Sequence, residues 1–295
     1  MFNNQIIAGA AGQGGGFYSH SLDQSLRFEE ADTPSLSRTQ TSGTTTTWTF
    51  SAWVKRSRLD SVSQTGGVAG QDPIFTVGDA NTNDMLIYFT QHSTADRLDI
   101  IIRDSSTIRA QLTTTRLFSD VAAFYHIQVT CDFTNATQGD RSRLYVNGVR
   151  ATAFDTETYP SDTSQITVVN NSSYTARIGR LRTEASYFAG YMSEVHLVDG
   201  SALEPTSFGE FSNGVWIPKE YSGSYGTNGW YLPFAQDTSS SSAFFSDSGN
   251  SYVQFADTSL YDIGSSDDFT IEFFFNPSAT AITDYSYLFL SLIHI

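Results

Sequence analysis

From Ser25 to Asp199 the chain is a succession of short β-type runs, each closed by turn residues: SLRF, SLSR, TTWTFSAWVK, PIFTV, MLIYFTQ, RLDIIIRD, FYHIQVTCDF, SRLYVN, VRATAF, QITVV, TARIGR and YMSEVHLVD. No convincing amphipathic helix separates them, so the runs can bury their apolar faces only against one another, as an antiparallel sandwich or barrel. The richness in Thr, Ser, Gly, Tyr and Phe suits strands and tight turns better than helices. In TTWTFSAWVK, alternation places Trp48, Phe50, Ala52 and Val54 on one face, with Thr47, Thr49, Ser51 and Lys55 among the other.

Residues 124–154, FYHIQVTCDFTNATQGDRSRLYVNGVRATAF, hold the only cysteine, Cys131, together with His126. A strand over FYHIQVTCDF collects Tyr125, Ile127, Val129, Cys131 and Phe133 on one apolar face. His126, Gln128, Thr130 and Asp132 then point outward from the other. Five residues apart, His126 and Cys131 diverge and cannot act as base and nucleophile, so Cys131 reads as a small buried hydrophobe. His126 and Asp132 share a face but stand about 20 Å apart along a strand. Downstream, Asn147-Gly148 is a strong two-residue hairpin signal, because a type I′ turn needs positive φ at both positions. Pairing outward sets Val146 against Val149, Leu144 against Ala151 and Tyr145 against Arg150, a register that matches apolar with apolar and an aromatic with a cation.

Charge and cysteine usage exclude several classes. Asp and Glu outnumber Lys and Arg by 31 to 16, a formal charge of -15, so a nucleic-acid backbone would be repelled. One cysteine rules out an internal disulfide framework and a cysteine-rich zinc site. No Lys or Arg precedes Arg27 and the first apolar run is short, so the N-terminus reads as neither signal peptide nor anchor. No run approaches the roughly 18 apolar residues of a spanning helix, and a soluble protein without membrane insertion is expected.

Residues 1–20, with five glycines, read as a flexible arm rather than a phosphate loop, since no Gly-Lys-Ser/Thr follows. A β domain over 21–234, ending in the aromatic tract GVWIPKEYSGSYGTNGWYLPF, is followed by a Ser-rich linker at 235–243. The pattern restarts over 244–295: Phe28 and Leu36 match Phe245 and Val253 at an offset of 217, and Trp48 and Phe50 match Phe269 and Ile271 at 221. This reads as the truncated start of a second copy. The final LSLIHI resembles a translated transposon-type sequencing adaptor, and the expectation from that resemblance is a reading frame cut short in assembled environmental DNA, with residues 290–295 not natural protein.

FYHIQVTCD, RLYVNGV, ARIGR and GYMSEVHLVDGSAL, in this order, resemble the laminin-G-like members of the concanavalin A-like lectin/glucanase group over about residues 21–211. The resemblance implies an all-β, two-sheet antiparallel jelly roll. SLDQSLRF with SLSRT, and SFGEFSNGVWIPKEYSGSYGTNGWYLPF, are similar to laminin-G-like modules of marine tailed-phage structural and tail-fibre proteins. That similarity implies a virion component, commonly a homotrimer when fibrous, that meets a host-surface glycan or other virion proteins. The expected function is therefore a non-catalytic binding module for host adhesion. A purely structural virion protein is the alternative, and a glucan hydrolase a more distant one.

Residue by residue, catalysis finds little support. Jelly-roll glucanases use a Glu-x-Asp-x-x-Glu strand, which is absent. Glu194 with Asp199, and Asp96 with Asp99, are spaced by odd numbers and fall on opposite faces unless a bulge intervenes. His20, His92, His126, His196 and His294 make no zinc motif, and no cofactor is expected. Calcium binds to some laminin-G-like domains, but GDANTND, with Asp79, Asn81, Asn83 and Asp84, reads as an Asx-rich turn lacking the glycine and distal glutamate of an EF-hand loop. Candidate sugar-binding rings are Trp216, Tyr221, Tyr225 and Trp230, whose alternative role is to pin a Gly-rich segment to the sandwich. Tyr145 and Arg150 on the hairpin form a second candidate pair.

Overall fold

The computed structural model describes residues 20, 22, 24–59, 71–79, 82–92, 95–161, 168–182 and 186–234, with backbone alone at 91, 92 and 95. The expected arm, linker, second copy and terminal hexapeptide lie outside the described residues, His20 excepted.

Among the described residues there is no α-helix. Two seven-stranded antiparallel sheets form the jelly roll. The first sheet runs β1 (Leu26–Phe28), β13 (Gly190–Asp199), β3 (Thr47–Arg56), β8 (Tyr125–Asp132), β9 (Ser142–Val146) and β10 (Val149–Arg150), and β16 (Trp230–Leu232) also pairs with β13. The second runs β11 (Phe154–Thr158), β7 (Thr107–Thr114), β6 (Ala95–Asp104), β5 (Asp84–His92), β4 (Gln71–Gly78), β12 (Thr175–Ile178) and β2 (Leu36–Thr39). A separate hairpin joins β14 (Gly209–Ser212) to β15 (Val215–Pro218).

The alternation read from the sequence builds the core. Trp48, Phe50, Ala52 and Val54 are fully buried, as are Ile127, Val129 and Cys131 on the neighbouring strand. They meet Phe75, Ile87, Leu98, Ile100 and Leu112 of the opposite sheet, and Phe50 stacks on Phe75 across the interface at 4.6 Å. The Asn147-Gly148 turn forms as expected, with φ of 49° and 76° and Val146 opposite Val149. The run VRATAF does not stay one strand. It leaves the first sheet after Arg150 and joins the edge of the second as β11.

One expectation is overturned. His126, expected to point outward, is on the non-core face yet has no exposure, and neither do Gln128 and Thr130. The chain after β13 returns across this face. Thr49 Oγ1 donates to the Ser201 carbonyl and accepts from the Leu203 amide. Gln128 Nε2 and Thr130 Oγ1 both donate to the Leu203 carbonyl at 2.9 Å. The polar face is thus a hydrogen-bonding floor for an irregular segment whose backbone groups would otherwise be buried without partners.

Candidate functional site

The return segment and the β14–β15 hairpin flank β9 and β10, and between them lies an open groove of about 780 Å³. It is a surface groove open to solvent along its length and not an enclosed cleft. Its lining includes Arg143, Tyr145, Arg150, Glu204, Phe211 and Trp216. The hairpin is a second Asn-Gly turn: Asn213 and Gly214 take φ of 49° and 82°, which sets Phe211 opposite Trp216. Trp216 is 8% exposed and lies against two glycines. A Cβ on Gly148 would stand 2.3 Å from its ring, and one on Gly209 2.4 Å. The ring also reaches His126, centroids 5.8 Å apart, so the buried histidine is part of the groove's underlayer. Against the Trp216 ring, Phe211 packs edge-on at 4.9 Å while staying 56% exposed. An exposed ring held by a buried one is a pre-organised platform.

Opposite the rings is a polar triangle. Arg143 contacts Glu204 at 2.5 Å and donates to the Tyr145 hydroxyl at 3.1 Å, and that hydroxyl donates to the other Glu204 oxygen at 3.0 Å. Burial, together with Glu204, holds the Tyr145 phenol above its ordinary range against the opposing pull of Arg143, so it remains a neutral donor. Burial alone would favour neutral Arg143, but the Glu204 and Asp140 carboxylates oppose it and the guanidinium stays charged. Arg150 pairs with Asp140 at 2.6 Å and donates to the Gly139 carbonyl at 2.8 Å. Ring faces, hydroxyl acceptors and donors therefore converge on one surface.

Of the six candidate binding residues, the groove brings together Tyr145, Arg150 and Trp216. Tyr225 is elsewhere, its hydroxyl 2.9 Å from His196 Nδ1 in a cluster that includes Tyr221 and Tyr231. Trp230, on β16, packs edge-on against Phe75. Arg143, Glu204, Glu210 and Phe211 were missed by sequence reasoning, although Asn213-Gly214 carries the same turn signal as Asn147-Gly148 and would have paired Phe211 with Trp216.

The acidic candidates are engaged separately. A bulge does occur in β13, where Glu194 takes φ 48° and the register shifts between Ser193 and His196. It does not unite Glu194 with Asp199. Glu194 binds His20 and the Tyr231 hydroxyl, whereas Asp199 accepts from the Thr44 and Asn228 amides and from Asn170 Nδ2. Burial pushes the Glu194 carboxyl up, but hydrogen bonds from His196, Tyr231 and His20 outweigh it and hold it below the usual range, the wrong direction for a general acid at neutral pH. Asp96 pairs with Arg56, and Asp99 accepts from Tyr88. In the GDANTND turn Asp79 caps the Asn83 amide and Asp84 is held by Arg103 and Arg182. Among the described residues no cluster of three or more His, Cys, Asp or Glu is placed to hold a metal ion, and no helix is long and apolar enough to cross a membrane. Cys131 is buried beside Ser142, its thiol pushed up to about 12 by burial.

A sequence profile of the concanavalin A-like lectin/glucanases superfamily matches residues 7–207. No curated protein matches the chain. Among solved structures, a Bacteroides ovatus protein described as carbohydrate binding is 15% identical, with 58% of this chain and 42% of that one covered and a TM-score of 0.37. Tailspike protein 2 of the Escherichia coli O157:H7 bacteriophage CAB120 is 12% identical, with 62% and 23% covered and a TM-score of 0.38. Domains LG4-5 of the mouse laminin alpha1 chain are 9% identical, with 73% and 48% covered and a TM-score of 0.40. The chain spans less than half the length of each of these three structures.

Proposed function

We propose, on the premise that this chain belongs to the concanavalin A-like lectin/glucanases superfamily, that it is a non-catalytic carbohydrate-binding module whose ligand lies in the groove between β9–β10 and the β14–β15 hairpin. The observation that carries this reading is the pairing of an exposed, pre-held ring, Phe211, with the Arg143–Tyr145–Glu204 triangle. Sugars offer one face of C–H groups, which an aromatic platform accepts, and a rim of hydroxyls, which carboxylate and phenol groups bind. Membership of the fold group alone would not assign a ligand.

The finer reading is a virion or tail-fibre component that adheres to host-surface glycans, and it rests on the likeness of SLDQSLRF and SFGEFSNGVWIPKEY to phage modules. A second reading, a structural virion protein docking on other capsid or tail subunits, is favoured by the exposure of Val149, Phe211 and Val215, at 60%, 56% and 52%. A glycan array probed with the 295-residue chain, alongside an assay for reducing-sugar release, tests the proposal. Binding without release is the expected result. Tight association with purified virion proteins and no glycan signal would replace it with the structural reading, and release of reducing sugar would overturn the non-catalytic assignment.

A further inference from the structure

The family match ends at residue 207, whereas Glu210, Phe211 and Trp216 lie beyond it. One wall of the groove therefore comes from the C-terminal extension and not from the matched domain. Resting on the reading of this groove as a glycan site, we infer that its ligand is an uncharged, hydroxyl-bearing glycan, and that Glu204 is the residue that turns anionic glycans away.

The charges of the groove are already committed to one another. The groove contains two guanidinium groups, and each faces a carboxylate. Arg143 is 2.5 Å from Glu204, and Arg150 is 2.6 Å from Asp140. Glu210 adds a further carboxylate to the lining. A sulfate, uronate or sialic carboxylate entering here would have to share an arginine with the carboxylate already paired to it, bringing a second anion beside that acid. Like charges brought together in an interface disfavour binding strongly. At the first pair the Glu204 side chain is 58% exposed at the rim against 14% for Arg143, so incoming groups meet that acceptor before that cation, while the more open Arg150 has Asp140 beside it. Each Glu204 oxygen accepts one protein hydrogen bond, and a carboxylate has about four lone-pair sites, so capacity remains for ligand hydroxyl donors. The formal charge of -15 repels polyanions at longer range. Phe211 and Val149, both exposed in the same groove, suit the C–H face of a neutral pyranose.

The test is titration of the 295-residue chain with two series of oligosaccharides: maltohexaose, cellohexaose and mannohexaose as neutral probes, and oligogalacturonate and sulfated galactan oligosaccharides as anionic ones. The wild type is expected to bind at least one neutral probe about tenfold or more tightly than any anionic probe, with little dependence on salt. Glu204→Gln retains a planar acceptor but removes the charge, and is expected to narrow that ratio by raising anionic binding. Phe211→Ala is expected to weaken neutral binding without restoring the anionic series, which separates a charge effect from a damaged groove. Preference of the wild type for an anionic probe, or an unchanged ratio in Glu204→Gln, would overturn the inference while leaving the glycan site standing. Failure to bind either series would overturn both.

Discussion

Two glycines in equivalent turns offer a controlled test of how the groove is built. Gly148 and Gly214 each follow an asparagine in a two-residue hairpin, at φ of 76° and 82°. Alanine at either position takes a left-handed conformation, which costs about 1–2 kcal/mol. A Cβ on Gly214 meets nothing within 4 Å, so that strain is the whole expected effect. A Cβ on Gly148 meets three atoms of the Trp216 ring at 2.3–2.7 Å, distances that force the indole off its seat. Overpacking of this kind adds about 1–3 kcal/mol. Gly148→Ala should therefore destabilise the domain by about 2–5 kcal/mol and Gly214→Ala by about 1–2 kcal/mol. Urea unfolding followed by tryptophan fluorescence measures both, and the Gly148 variant should also show a changed native spectrum. Equal destabilisation of the two variants would refute the claim that the Trp216 ring is locked onto the β9–β10 turn.

Other perturbations test the buried face and the ion pairs. Burial lowers His126 from 6.5 to about 3, so the unfolded chain binds a proton that the native one refuses. Its contribution is present above pH 6.5 and is lost toward pH 3 at about 1.4 kcal/mol per unit. His126→Gln should remove one proton from the slope of unfolding free energy between pH 6.5 and 4.5, and an unchanged slope would place the histidine in solvent. Arg56 is 1% exposed and contacts Asp72 at 3.0 Å and Asp96 at 2.8 Å. Arg56→Met removes the ion-pair partner of Asp96 and leaves Asp72 only the longer Arg58 contact at 3.9 Å, so it should cost about 3–5 kcal/mol in urea unfolding, and a loss below about 1 kcal/mol would show the pairs to be solvated. Cys131, buried with its thiol pushed up to about 12, should react with a disulfide reagent only at the rate of unfolding. Immediate labelling of the native protein would contradict its placement.

The strand content was legible where alternation was strong and turn chemistry conventional. FYHIQVTCDF and TTWTFSAWVK separated their faces correctly, and Asn147-Gly148 set the register of β9 and β10. β7 was not legible because its hairpin with β6 turns on Ser105 and Ser106, at φ of 50° and 64°, residues that carry no I′ turn signal. Instead the Ser105 amide donates to Asn83 Oδ1 and the Ser106 amide to the Thr82 carbonyl, tertiary bonds that hold the turn. Parity told which face His126 occupies but not what covers it, since Gln128, Thr130 and Ser51 look solvent-facing until a later segment uses them as partners. The groove was half legible for the same reason. Tyr145, Arg150 and Trp216 stood out as residues, yet only the return of the chain over β8 brings Glu204 and Phe211 to them.

The most direct test of the groove as a carbohydrate site is calorimetric titration of wild type and Phe211→Ala with a neutral oligosaccharide that scores on the array. Phe211 is largely exposed, so its removal should leave the urea midpoint nearly unchanged and weaken binding by about tenfold or more. Equal affinity in the two proteins would contradict the assignment of the ligand to this groove.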